Sequence, residues 1–347
     1  MSLEKIRTEL DAIDKSILEL LAKRFSFCKD VSDYKKKNKL KVKDSTREEE
    51  IINDRIKIFS ELGYDEPEFI TALFTLILEK SREKIATYSS ESEPERKGKK
   101  KTISIIGGGG KMGSLFAEEF RKHGHTVLIS NKEKTNSVEL AQKGDLVIVT
   151  VPLEKTEKVL TEIIPHLRKE ALLTDFTSIK ERPLEIMKTA ASNVVGGHPL
   201  FGPTTSFEDK CFILCPGKGD FSWYKQLLQS LNLTVIELSA EEHDKTMAVI
   251  QSLTHFSNLA LASTLQKLGF KKTFSTPTYA LKMESIQKMF SQDAELFAEI
   301  QFANAHSQET IISYLAAVHE LHQCLLSGNK EEFERLFEST KQHLQKK

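Results

Sequence analysis

Residues Ile103 to Gly113 run Ile-Ser-Ile-Ile-Gly-Gly-Gly-Gly-Lys-Met-Gly. An apolar, strand-forming run enters a glycine turn, and Leu115-Phe116-Ala117 then opens a helix. Gly108, Gly110 and Gly113 fit G-x-G-x-x-G, with Lys111 and Met112 between the last two. In that pattern the first glycine permits the tight turn and the second lets a pyrophosphate approach the backbone. The third packs helix against strand. The helix N-terminus then offers free N–H groups and a positive dipole end to phosphates. A glycine-rich surface turn is the plainer reading, but it leaves the flanking strand and helix unexplained. The acid that takes a ribose hydroxyl, about 20 residues further on, is replaced near Asn131. Ser130-Asn131-Lys132-Glu133-Lys134 has no acid at the strand end and offers two lysines, so NAD and NADP both remain open.

A second group with chemical potential is His198, in Gly196-Gly197-His198-Pro199-Leu200-Phe201-Gly202-Pro203. A lone histidine is often only a satisfied structural side chain. This one ends a strand in the second half of a dinucleotide-binding sheet, where ligands bind. A third group lies far upstream. Leu3, Ile6, Leu10, Ile13, Ile17, Leu20, Cys28 and Val31 make one face of a long first helix apolar, and Arg24 and Lys35 fall in step with them. Such charges either snorkel to water and pair with Asp44 or Glu48, or they line an anion pocket. In the second case Arg24 and Arg7 are carboxylate forks and Lys35 is a donor.

The elements that position these residues divide the 347-residue chain. Residues 1–88 read as three helices, the second capped by Asp44 or Ser45 and ended by Gly63, the third opened by Pro67. Their core is thin, so dimerisation is expected. Residues 89–101 hold no apolar side chain and read as a solvated linker. Seven strands are expected over 102–238, at Ile103–Ile106, Val127–Ser130, Leu146–Val151, Ala171–Asp175, Asn193–Gly196, Phe212–Cys215 and Thr234–Leu238. Helices between several of them predict a doubly wound, mostly parallel Rossmann-like sheet. Residues 239–347 turn helical again, with a capping box of Ser239 and Glu242 at the entry and long apolar faces that suit a dimer interface.

Fifty basic and fifty acidic residues give no net charge, which argues against a general nucleic-acid or membrane-surface binder. No apolar run approaches a membrane span, and no signal-peptide core is visible. Cys28, Cys211, Cys215 and Cys324 complete no metal set and read as reduced thiols of a cytoplasmic protein.

The first segment resembles the all-helical chorismate mutases, in Ile6-Arg7, Asp11-x-Ile13-Asp14, Leu20-Leu21-Ala22-Lys23-Arg24, Val31-x3-Lys35 and Asp44-x2-Arg47-Glu48. The resemblance implies a dimer of interlocked three-helix subunits. Arg7 would reach in from the partner, while Arg24, Lys35, Asp44 and Glu48 line the pocket of one subunit. Lys35 would donate to the ether oxygen. The family's second donor, a Gln or Glu four residues after a Ser, falls here on Ile85, after Ser81. Losing such a donor costs on the order of 10²–10³ in rate. Lys84 is the neighbouring substitute.

Residues 102 to 340 resemble the prephenate dehydrogenases. The matches are the glycine turn, Val149-Thr150-Val151-Pro152, Asp175-x2-Ser178-x-Lys180, the His198 motif, Glu242-His243-Asp244, Ile250-Gln251-x3-His255-Phe256 and Phe290-x-Gln292-Asp293. The whole chain is thus similar to the bifunctional chorismate mutase–prephenate dehydrogenases of tyrosine synthesis. That implies His198 as base, Ser178 orienting it, Lys180 supporting the site, His255 holding substrate, and NAD as cofactor with NADP the alternative. A homodimer and feedback by tyrosine are also implied. Two family arginines are missing: Lys288 stands for one, without the bidentate fork, and Ala280 for the other. An arogenate dehydrogenase with a weak mutase is therefore the enzymatic alternative. A non-catalytic sensor of aromatic metabolites is the other, against which the retained His198, Ser178, Lys180, Arg24 and Lys35 speak.

Overall fold

The computed structural model describes residues 2–38, 44–91, 100–130, 136–203, 207–208, 210–270 and 274–345. The chain forms two compact units, Met1–Lys99 and Lys100–Lys347. Their division falls in the expected linker, of which residues 92–99 lie outside the described residues.

The first unit holds α1 (Leu3–Ser26), α2 (Cys28–Lys37), α3 (Ser45–Glu61) and α4 (Pro67–Glu91). The single long first helix expected from the sequence is interrupted at Phe27, whose N–H donates to the Phe25 carbonyl and not to one four residues back. Packing explains the break. Cys28 and Ser32 of α2 are buried against α4, whereas no residue of α1 is buried. The stripe from Leu3 to Leu20 is between 41% and 66% exposed. A 24-residue helix with an uncovered apolar stripe has no tertiary support of its own. Asp44 caps α3, its carboxylate accepting from the N–H of Arg47 at 3.1 Å. α4 runs three residues past position 88, into the expected linker.

The second unit is built on one seven-stranded sheet in the order β2-β1-β3-β4-β5-β6-β7. The strands are β1 (Thr102–Ile106), β2 (Thr126–Ile129), β3 (Leu146–Val149), β4 (Leu172–Asp175), β5 (Asn193–Pro199), β6 (Cys211–Lys218) and β7 (Thr234–Glu237). All pairings are parallel except β5 with β6. Connecting helices are α5 (Lys111–Lys122), α6 (Ser137–Lys143), α7 (Leu153–Ile163), α8 (Glu181–Met187) and α9 (Ser222–Ser230). Alternate residues of one strand feed two cores. Leu146 and Ile148 join Phe116, Phe120 and Phe212 on one face, while Val147 and Val149 join Leu160, Ile163 and Met187 on the other. Burial on both faces is why these strands read as continuous apolar runs.

The chain then continues through α10 (Ala240–Met247), a π-helical turn at Ala248–Leu253, α11 (Thr254–Lys267), α12 (Pro277–Phe290), α13 (Ala294–Ala303), α14 (Ser307–Ser327) and α15 (Lys330–Gln345). The capping box is formed: Ser239 Oγ accepts from the N–H of Glu242 at 3.1 Å, and the Glu242 carboxylate accepts from the N–H of Ser239 at 3.0 Å. It fixes where α10 begins, and α10 packs on α8 and β6. Among the described residues no helix is long and apolar enough to cross a membrane.

Candidate functional site

The strand order reverses between β1 and β3, and the glycine turn lies at that switch point, where open α/β sheets hold ligands. Gly107, just ahead of the expected motif, carries the turn's backbone demand at φ +88°. A Cβ there would lie 2.8 Å from the carbonyl carbon of Thr150. Cβ atoms at Gly108 and Gly113 would meet Ile129 at 2.6 Å and the Gly108 Cα at 2.7 Å. Only Gly107 in this turn needs the positive φ, and four consecutive glycines masked which one it is. The N–H of Gly107 donates to Ser130 Oγ at 2.9 Å, tying the turn to the end of β2. Gly110 is the N-cap of α5 and has no side-chain cap, so the first N–H groups of that helix face the turn. A bare cradle with an uncapped helix start fits a pyrophosphate. Lys111 is exposed and Met112 packs on the core beneath. Asn131 lies outside the described residues.

His198 is buried near the end of β5, 3% exposed. Its Nδ1 lies 2.9 Å from His243 Nε2, and His243 Nδ1 lies 2.7 Å from Asp244 Oδ1. The Asp244 carboxylate also accepts from the N–H groups of Lys180 at 2.7 Å and Glu181 at 2.9 Å. The His198 ring thus meets His243, and no hydrogen bond to Ser178, expected to orient it, is formed among the described residues. Ser178 stands on the wall of a cavity of about 240 Å³ with Val151, Pro152, Phe176, Asp293 and Glu299. The Glu299 carboxylate of α13 accepts from the first N–H groups of α7, Leu153 at 3.2 Å and Glu154 at 3.3 Å, so the helical segment is pinned beside the strand ends.

Lys180 is fully buried in an ion pair with Asp175 and also donates to Thr177 Oγ1 at 3.0 Å. Glycines 196 and 197 make room for this pair: a Cβ on Gly197 would lie 2.8 Å from the Asp175 carbonyl oxygen, and one on Gly196 would lie 3.0 Å from Lys180 Cδ. Burial, then the neighbouring His243 and Lys180, hold the His198 imidazole well below its ordinary value of 6.5. Burial also lowers His243, against the raising pull of Asp244. Both rings are neutral at pH 7. His255 is half-buried on α11, edge-on to Phe297 at 4.6 Å, and its Nδ1 has no hydrogen-bond partner among the described residues. Burial lowers it too. Lys288 is exposed on α12.

In the first unit, Arg24 donates to Ser81, which donates on to the Ile77 carbonyl at 2.6 Å. Glu48 pairs with Arg82 at 2.6 Å, with side chains only 20% and 10% exposed. Arg82 is a cation that the sequence reading did not single out, although its place one residue after Ser81 marked it. Ile85 is buried, and Ser32 Oγ donates to its carbonyl at 3.1 Å. Lys84, the expected substitute, instead holds its ammonium 5.6 Å from the centre of the Phe25 ring. Lys35 is half-buried on α2, Asp44 is committed to its cap, and Arg7 is exposed on α1.

Fold and site together define a dinucleotide-dependent dehydrogenase joined to an all-helical unit. Residues 6–85 match the family model of chorismate mutase type II, residues 117–236 that of the prephenate dehydrogenase nucleotide-binding domain, and residues 239–339 that of the prephenate dehydrogenase dimerization domain. The T-protein of Enterobacter agglomerans is 31% identical over 355 residues, covering 98% of this chain and 92% of that protein. The T-protein of Haemophilus influenzae is 30% identical, covering 86% and 81%. The solved prephenate dehydrogenase of A. aeolicus, in complex with hydroxyphenyl propionate and NAD+, shares the fold: TM-score 0.59, 20% identity, 73% of this chain and 100% of that one. The chain belongs to the bifunctional chorismate mutase–prephenate dehydrogenases of tyrosine biosynthesis.

Acidification tests the buried imidazoles. Unfolded histidine titrates near 6.5, while His198 and His243 are lowered in the fold. Below that value the unfolded chain binds protons that the folded chain refuses. The stabilisation is fully present above pH 6.5 and is lost as pH falls from there toward the folded values. The urea midpoint of the second unit, followed by the single tryptophan, Trp223, should drop between about pH 7.5 and 5.5. His198→Asn should flatten that slope. A midpoint that is constant or rises on acidification contradicts the assignment.

Proposed function

We propose that the first unit rearranges chorismate to prephenate and that His198 serves as the base in oxidising prephenate to 4-hydroxyphenylpyruvate. The observation that carries the second half is a neutral imidazole near the end of β5, in the same sheet whose β1 leads into a dinucleotide cradle. Gly108, Gly110 and Gly113 with the start of α5 would hold the pyrophosphate of NAD. When bound, the nicotinamide supplies the acceptor for the hydride from C4. His198 accepts the proton of the C4 hydroxyl as the carbonyl forms, and loss of carbon dioxide aromatises the ring. A base with its lone pair free at pH 7 suits that task. Lys180, with Asp175, supports β5 from behind, and Ser178 and His255 face substrate. Lys288 is the remaining cation for the ring carboxylate.

The mutase step needs no acid or base. It needs a dianion folded into its reactive shape, which fixed cations accomplish. Arg24 and Lys35 act within one subunit, with Glu48 and Asp44 at the pocket edge and Arg7 supplied by a partner copy across the open face of α1. Ile85 places an apolar side chain where an ether-oxygen donor belongs. The reading carries with it a homodimer, a cytoplasmic location with the pyridine-nucleotide pool, and tyrosine, which shares the product's ring, as the candidate feedback ligand. With Lys288 exposed and Ala280 in place of an arginine, the ring carboxylate is held less tightly, and arogenate, which shares that carboxylate, is the alternative substrate.

Chorismate supplied with NAD should give prephenate, then equimolar NADH and 4-hydroxyphenylpyruvate. The His198→Asn protein should accumulate prephenate and form NADH more than about 10²-fold more slowly. Absence of both products from the parent enzyme overturns the reading, and an unchanged NADH rate removes His198 from it. Ile85→Gln should raise mutase kcat by about tenfold or more. An unchanged or lower kcat shows that position 85 does not limit the step.

A further inference from the structure

We propose that His243, backed by Asp244, is a positioning residue that fixes the tautomer of His198, leaving Nε2 as the basic atom, and that takes up positive charge when His198 is protonated. This rests on the prephenate dehydrogenase reading of the site. The hydrogen positions follow from counting donors. Asp244 accepts from two backbone N–H groups, at 2.7 and 2.9 Å, and its Oδ1 also lies 2.7 Å from His243 Nδ1. With backbone donors and a ring nitrogen around it, that carboxylate serves as an acceptor. His243 Nδ1 must then carry hydrogen. Burial keeps His243 neutral, so its Nε2 has a lone pair and accepts. His198 Nδ1, 2.9 Å away, must be the donor, and His198 Nε2 is bare.

The opposite arrangement fails on charge. If His198 Nδ1 were the acceptor, His243 would be doubly protonated, a cation in a side chain with no exposure and close to the buried Lys180. Asp244 would be its one directly bonded carboxylate, since Asp175 is already paired with Lys180, and burying that charge is costly. The neutral chain satisfies every ring nitrogen except the one that faces substrate.

During turnover the O–H pair of the substrate hydroxyl stays on oxygen to complete the carbonyl, and the proton joins Nε2 of His198. The imidazolium so formed keeps its Nδ1–H on His243 Nε2. Movement of that proton onto His243 places the charge next to Asp244; its return regenerates the His198 imidazolium, and release of the Nε2 proton to water after product leaves restores the neutral starting state. No further reactant is needed. A carboxylate behind the base thereby stabilises a cation that exists only after proton transfer, without itself being protonated. The capping box that fixes the start of α10 sets the position of both members.

The tautomer is measurable without substrate or cofactor. In the 15N-histidine-labelled full chain at pH 8, the His198 ring, assigned by its loss in His198→Asn, should show a protonated Nδ1 and a bare Nε2. Protonation on Nε2 overturns the proposal while leaving the activity reading untouched; an enzyme that does not oxidise prephenate at all overturns that reading instead. His243→Phe, which fills the space without an acceptor, should lower kcat by about 10²-fold with KM for prephenate within about threefold. His243→Gln can accept from His198 and donate to Asp244, and should recover at least about tenfold of the loss. Equal activity of the two variants, or a loss carried by KM alone, contradicts the relay.

Discussion

The dehydrogenase half of this molecule turns on keeping one imidazole uncharged in a place where water does not reach it. Desolvation alone disfavours the cation of His198, and the ammonium of Lys180 adds to the effect. An imidazole held neutral in this way keeps a lone pair available at physiological pH. His243 Nε2 lies 2.9 Å from its Nδ1. Much of the surrounding structure exists to make that contact possible. The glycine pair ahead of His198 admits Asp175 and Lys180 beneath β5, and the Asp175 carboxylate in turn accepts from Thr177 at 3.0 Å. Asp244 fastens the start of α8 through two backbone N–H groups, so hydrogen bonds tie together the loop after β4, the end of β5 and the start of α10.

The cofactor cradle and the base answer different physical demands. The cradle must be empty of side chains, and backbone geometry provides that at Gly107 and its successors. The base must be enclosed, and aromatic packing helps to provide that. Phe116 touches Phe176, Phe201, Phe207 and Phe212, covering the sheet on the side of the His198 motif. Phe176 reaches on to the cavity wall near Ser178, and Glu299 ties α13 to the first turn of α7 beside it. The helical segment after residue 239, which matches a dimerization domain, therefore also lines the cavity that holds Ser178 on its wall.

Much of this was legible in the residues. Seven apolar runs marked seven strands, most plainly β3 and β4, because strands buried on both faces leave no alternation to blur. Pro67, Gly63, Asp44 and Ser239 announced helix ends because capping is local chemistry. What stayed hidden was long-range. His243 and Asp244 were visible as a pair at a helix start, but nothing in a linear sequence puts them against a strand 45 residues earlier. Ser178 was assigned their orienting task by position in a motif. Likewise Arg82 stood beside Ser81, yet its pairing with Glu48 requires α3 to cross α4. The break at Phe27 was invisible because the apolar period continues through it, and only the burial of Cys28 and Ser32 explains why the chain turns there.

The two halves place cations on opposite sides of the reaction logic. In the mutase unit, fixed charges such as Arg24 and the Arg82–Glu48 pair sit in place from the start. In the dehydrogenase unit the His198 and His243 rings are buried and neutral, with the Asp244 carboxylate behind them. A crystal structure of the full chain with NAD and a 4-hydroxyphenyl substrate analogue tests this most directly. The account predicts His198 Nε2 about 3 Å from the analogue's hydroxyl oxygen, with Nδ1 still on His243. A ring turned away from the hydroxyl, beyond the reach of one bridging water, would contradict it.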